Sequence, residues 1–302
     1  MTTAALELPS GLTQRPLVPT DAPAVTAVMA AQQLADTGEV SIEEADIVAD
    51  WQVPGYDVGE HAVGVFDGDR LVAYAEVGDS GRGDAAVHPD HVGRGIGAAL
   101  AGWMQLRGRE LGAEVVGMPV PQGSPGDRLL ESLGYHVRWH SWVLQLPEGT
   151  TVPERPLPDG YAVRAATEDE HRACWTVQED AFLEWAGRDR EPFERWEAEI
   201  VRRPGFEPWH LRVVVDPAGE VVAVAVVQMS PACAFIARLA TRSDQRGRGL
   251  AQALLVDSFA EATKRGASRC ELSTDSRTGA LGLYERVGMV VTSTWVNRAI
   301  AV

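Results

Sequence analysis

The chain has 302 residues, 45% of them hydrophobic and 23% charged, with a formal net charge of −16. No apolar run approaches the roughly 18–20 residues of a membrane span, the start MTTAALELPS lacks the basic and apolar regions of a secretory signal, and the acidic balance disfavours a phosphate backbone as partner. Three cysteines, Cys174, Cys233 and Cys270, offer neither a disulfide framework nor a Cys-based zinc site, and they fit a reducing, cytoplasmic setting.

Taken in chain order, TQRPL reads as a first strand, and Ser41-x-x-Glu44 as a capping box opening a helix over IEEADIVADW. GDRLVAYAEV (68–77) reads as a turn followed by a strand. VHPDHVGRGIGAAL (87–100) is a glycine-rich turn running into a long helix. Pro147 to Gly160 holds four prolines and almost no apolar period, which predicts an extended linker. Beyond it the order returns: the strand YAVRA, a capping box at Thr167-x-x-Glu170, the β-rich run AGEVVAVAVV (218–227), and the turn TRSDQRGRGLAQAL (241–254). A helix over GLAQALLVDSFAEATKRG ends at Gly266, a natural C-cap. The strand SRCELST, a short helix in GALGLYERVG and a strand over TSTWVNRAIA complete the chain.

The two halves align without a gap at an offset of 154, with ten identities between residues 93–134 and 247–288. Gly93, Arg94 and Gly95 meet Gly247, Arg248 and Gly249, and Gly112 and Gly134 meet Gly266 and Gly288. One domain was duplicated and its copies diverged. The expected fold is α+β, with two tandem domains, each a mixed, mostly antiparallel central sheet flanked by helices. The expected bounds are 1–147 and 160–302, joined by a linker at 148–159.

Alternate glycines let the backbone turn tightly and leave successive N–H groups clear, while a helix N-terminus adds unpaired donors and partial positive charge. Such a turn is suited to a diphosphate-like anion, reinforced here by Arg246 and Arg248. A P-loop reading fails because the chain's one lysine, Lys264, stands at the far end of the helix. A dinucleotide fingerprint, Gly93-x-Gly95-x-x-Ala98, is broken in the second copy at Gln252. His88-x-x-His91 lacks a well-placed third ligand, so no metal is expected.

Arg246-x-x-Gly249-x-Ala251 resembles the (Gln/Arg)-x-x-Gly-x-(Gly/Ala) signature of the GNAT acyltransferases, and LSTDSRTGALGLYERVGM (272–289) is similar to that family's second conserved region. The resemblance implies an acetyl-CoA-dependent N-acetyltransferase with tandem domains. It places the diphosphate on Arg246, Gly247, Arg248, Gly249, Leu250 and Ala251, and the pantetheine arm along Leu239, Ala240 and Thr241. It makes Tyr284 the general acid toward the thiolate, a role a neutral phenol can fill. In the first copy the matching cofactor positions are Val87, Gly93, Arg94, Gly95 and Gly97. That copy has Val92 at the signature's first position and Leu130 opposite Tyr284, so it reads as degenerate, with the second copy catalytic.

The general base is not marked. The family often has a carboxylate on the strand before the turn; the second copy has Arg238 there and the first has Asp84. Glu179, Asp180, Glu184 and Glu271 are the other candidates, and Trp175, Trp185, Trp196 and Trp209 are candidates for a substrate pocket. The expected acceptor is a small-molecule amine, with neither nucleic acid nor membrane as partner and the chain a monomer or homodimer. A non-catalytic acyl-CoA-binding or sensing protein and a protein N-acetyltransferase are the alternatives.

Overall fold

A computed structural model describes residues 6–230 and 232–302. The chain divides into two units, Met1–Ser141 with Ser293–Val302, and Trp142–Thr292. In chain order the first unit holds β1 (Leu12–Pro16), α1 (Ala22–Thr37), α2 (Glu44–Trp51), α3 (Val58–His61), β2 (Ala62–Asp67), β3 (Arg70–Val77), β4 (Gly83–Val87), α4 (Ile96–Glu110), β5 (Val115–Pro121), α5 (Pro125–Ser132) and the start of β6 (His136–Gln145). The second unit takes the end of β6, then β7 (Ala162–Ala165), α6 (His171–Leu183), α7 (Phe193–Glu199), β8 (Leu211–Val215), β9 (Val221–Met229), β10 (Cys233–Thr241), α8 (Leu250–Lys264), β11 (Arg269–Asp275), α9 (Leu281–Arg286) and the start of β12 (Val290–Ala301).

In the first unit β1-β2-β3-β4 form an antiparallel sheet. Strand β5 pairs antiparallel with β12, from Trp295↔Pro121 to Ala301↔Val115. Among the described residues a single parallel bridge, Arg82↔Gly117, ties the β4 side to β5. The approach is close: a Cβ on Gly81 would lie 1.9 Å from the Val115 carbonyl oxygen, so only glycine fits there. Alternation along β3 and β4 sends Tyr74 and Ala86 toward α1 and α2, and Ala73, Ala75 and Val77 toward α4.

In the second unit β7-β8-β9-β10 are antiparallel, β11 joins β10 in parallel, and β6 borders β11. Strands β8 and β9 are buried almost throughout, and both read as valine-rich runs because helices cover each face. Val213, Val224 and Val226 pack with α6 and α7, whereas Val222, Ala223 and Ala225 pack with Leu250 and Leu254 of α8.

The duplication holds to the residue. Helices α4 and α8 and strands β5 and β11 start and stop 154 positions apart. The domain bounds differ from the expected ones at both ends. The last residues of β6, placed in the first domain by the sequence, serve the second unit, with Leu146 N–H donating to Cys270 O at 2.9 Å. The end of β12 serves the first, where Arg298 holds Asp127 of α5. A strand's apolar pattern records that one face is buried but not which sheet buries it, so the exchange left no trace in the sequence. Ser41 is also not a cap: the N-cap of α2 is two residues later, at Glu43, whose N–H donates to Asp46 at 3.0 Å, and the Ser41 N–H donates to Gln33.

Candidate active site

Both glycine turns have the same shape. Gly93 and Gly95 have φ of 80° and 86°, and Gly247 and Gly249 have φ of 77° and 83°. Such values are strained for residues with a Cβ. Gly95 and Gly249 are the N-caps of the 15-residue helices α4 and α8, and no side chain among the described residues caps either helix. Each turn therefore presents the uncapped first-turn amides of a long helix.

The sheet opens beside each turn. In the second unit the parallel register of β10 and β11 runs from Cys233↔Arg269 to Ile236↔Leu272. There β10 bulges, Ala237 being the extra residue between Ile236 and Arg238. A bulge leaves a main-chain group out of the ladder and re-aims the strand beyond it. Tyr284 of α9 is 7% exposed and packs in the cluster that contains Ile236 and Leu272. Burial pushes its phenol up to about 12, so it is a proton donor across the physiological range.

In the first unit the corresponding opening is a cavity of about 490 Å³. Gly93, Gly95 and Gly97 stand on its wall, with Val87, Met118, Val120 and Leu130. Two features distinguish it. The β3–β4 ladder runs from Ala73↔Val87 to Val77↔Gly83 with no register shift, and the Val87 N–H already donates to Gln32 Oε1 at 2.8 Å. Asp84 does not line this cavity: the pleat turns it to the other face, opposite Glu76. Burial raises both carboxyls; that of Glu76 reaches about 7 with like-charge pressure from Asp84 and Asp50, whereas the nearby Arg82 charge draws Asp84 back down. Trp51 Nε1 donates to Glu76 at 2.9 Å.

Around the second turn, Arg246 is locked bidentate to Glu184 at 2.6 and 2.8 Å. Arg248 reaches the Tyr161 hydroxyl at 3.3 Å. The remaining base candidates are also engaged. Glu179 is 1% exposed; although burial opposes it, Arg188 and the Glu191 N–H hold its carboxyl below the usual range. Asp180 pairs with Arg190, and Glu271 stands 3.6 Å from Arg269. Arg238 lies 3.8 Å from Glu199 at the end of α7. Glu199 was not singled out by sequence, because its link to the β10 bulge exists only across the packed layers.

The tryptophans divide. Trp175 and Trp196 belong to the core under α6 and α7, and Trp209 to the core under α8. Trp185 instead stacks beneath the Arg277 guanidinium at 4.7 Å, between the α6 end and the loop before α9. His88 and His91 are held by Arg70 and Asp67. Among the described residues no three metal-ligating side chains cluster, and no helix is long and apolar enough to cross a membrane.

The family model described as Acetyltransferase (GNAT) family matches residues 161–289. Mycothiol acetyltransferase of Salinispora arenicola is 31% identical over 230 residues, covering 71% of each chain. That of Salinispora tropica is 32% identical over 236 residues, covering 72% of this chain and 73% of that one. Among solved structures, a GCN5-related N-acetyltransferase from Sphaerobacter thermophilus superposes with TM-score 0.76 and 31% identity, covering 97% of this chain and 96% of the other. A tandem GNAT protein from the clavulanic acid biosynthesis pathway shares the fold at TM-score 0.72 and 16% identity, over 96% of this chain and 98% of that one.

Proposed function

The chain belongs to the GNAT family of acetyltransferases and is an acetyl-CoA-dependent N-acetyltransferase; from this premise we propose that the second unit transfers the acetyl group to a primary amine of a small molecule. The observation that carries the reading is the end of β10–β11 pairing at Ile236↔Leu272, with the glycine turn following β10 and Tyr284 in the apolar cluster that holds Ile236 and Leu272. The residues present fit CoA. The amides of Gly249, Leu250 and Ala251 and the charge of Arg246 and Arg248 suit its diphosphate, and Leu239 to Thr241 offer a strand edge to pantetheine.

Each group of the chain then has one task. The bulge at Ala237 directs a main-chain donor toward the thioester carbonyl, where negative charge develops during attack. Tyr284, kept protonated by burial, supplies the proton that the departing thiolate takes up. The amine attacks directly, forming the amide C–N bond as the C–S bond breaks, and its own proton leaves through water, since the nearby carboxylates are committed to arginines. Trp185 forms a wall for the acceptor. The name carried by the curated relatives, mycothiol acetyltransferase, supports an acceptor of small size.

The first unit, in this reading, holds a CoA without turning it over. Its cavity and turn are intact, while the bulge is missing and the phenol's place is taken by Leu130. A panel of small amines offered with acetyl-CoA tests the whole reading. Amine-dependent CoA release, with a matching N-acetylated product, is the expected result. CoA release at one rate with or without amine, or transfer only to peptide lysines, overturns it.

A further inference from the structure

By sequence, Pro147 to Gly160 is a spacer. In the structure its middle is fastened to the glycine turn of the second unit. Val152 is buried in the core under α8. The Pro153 carbonyl accepts from Gln252 Nε2, in the first turn of α8, at 2.6 Å. Arg155 lies on the turn itself. Its Nη2 is 3.4 Å from the Gly247 carbonyl oxygen, and a Cβ at Gly249 would come within 2.6 Å of its Cδ and 2.9 Å of its Nε.

This position is electrostatically unfavourable for the protein alone. The N-terminus of α8 carries partial positive charge and uncapped amides, and a cation there is repelled. The other arginines of the turn have partners, Arg246 in Glu184 and Arg248 in the Tyr161 phenol. Arg155 has no carboxylate within ion-pairing distance among the described residues, and its one hydrogen bond is to a carbonyl. An exposed guanidinium resting on the positive end of a helix, with no counter-ion, is stabilised once an anion sits between the two.

We propose that Arg155, carried by the Pro147–Gly160 segment of the second unit, is a ligand for a phosphate group of the CoA bound at the turn Gly247–Ala251, so that cofactor binding fastens this segment down. The inference rests on the reading that this turn holds CoA. The phosphate is either the diphosphate or the 3′-phosphate on the ribose, and the two share the chemistry a guanidinium recognises.

The test compares the full chain with R155A, R155K and Gly249→Val. In R155A the KM for acetyl-CoA rises about tenfold with kcat within about twofold, the loss of one charge-assisted contact, and R155K recovers part of it. Hydrogen exchange supplies a readout independent of turnover: CoA slows amide exchange across residues 150–158 in the parent chain and does so far less in R155A. With 3′-dephospho-acetyl-CoA the R155A penalty persists if the diphosphate is the contact and vanishes if the 3′-phosphate is. An R155A KM equal to the parent's, alongside a raised KM in Gly249→Val, overturns the assignment of Arg155 alone. If neither substitution moves KM, the reading of the turn falls with it.

Discussion

The Asp127 carboxylate on α5 is gripped by the Arg298 guanidinium from β12, a contact between residues 171 positions apart that joins the two ends of the first unit. Both side chains are buried, at 7% exposure each, and Arg298 also donates to the Tyr135 carbonyl at 3.1 Å. Removing one partner of a buried pair strands the other charge, at a cost of about 3–5 kcal/mol. R298A is expected to lower the unfolding midpoint of the first unit sharply in denaturant titration. A fragment of residues 1–147 alone lacks β12 and is expected to stay unfolded, and a peptide of residues 290–302 added in trans to restore its circular dichroism. Cooperative folding of 1–147 by itself would contradict the exchange of strands.

Tyr284→Phe retains the ring in its cluster and deletes the proton. The expected loss in kcat is about 100-fold, with KM for acetyl-CoA within about twofold. Because burial holds the phenol near 12, the parent enzyme should show no alkaline fall in kcat up to about pH 10. Its acid limb should instead follow loss of the neutral amine. Unchanged turnover in the variant, read by thiol release, removes Tyr284 from the mechanism.

Glu184→Gln separates two roles at once. The pair with Arg246 is about half exposed on both sides, so its loss should change stability by under about 1 kcal/mol. Arg246 is then free to turn to the diphosphate, and KM for acetyl-CoA should fall two- to threefold. A collapse of kcat instead would identify Glu184 as the base. Steady-state kinetics on the one variant decides between them.

The Glu76 carboxyl gives the first unit a pH-dependent stability. Burial first, then the facing Asp84, raises its folded pKa to about 7 from 4.5. Between those values the folded chain holds a proton that the unfolded chain has released, so this group's contribution is full below 4.5 and is lost as pH rises through 7. The difference is on the order of 3 kcal/mol. E76Q retains an acceptor for the Trp51 indole and removes the charge. Its melting temperature should exceed the parent's above pH 8 and match it near pH 5, and parallel pH profiles for the two would refute the assignment.

Local geometry was legible in the sequence because backbone demands write themselves into residue type. Glycines at 93, 95, 247 and 249 announced left-handed turns, and the offset of 154 carried over to helix ends and to β5 and β11. The tyrosine found by motif packs in the cluster that holds Ile236 and Leu272. What escaped were relations between distant segments. Arg155 fell within the expected linker, and the strand TSTWVNRAIA looked like the second domain's own. Glu179, a base candidate by type, turned out to be a structural anchor for Arg188. Identity of a side chain fixes what it can do, whereas its partner, read only in three dimensions, fixes what it does.

The placement of β12 has a consequence for how the protein is made. A ribosome delivers residues 1–141 early, yet the strand that borders β5 emerges only after the whole of the second unit. The nascent first unit must therefore wait, with the main-chain edge of β5 unpaired, until synthesis has passed residue 301. A chain that stops short of Ser293 therefore leaves its first half open as well, with an unpaired strand edge exposed to proteases and to other chains.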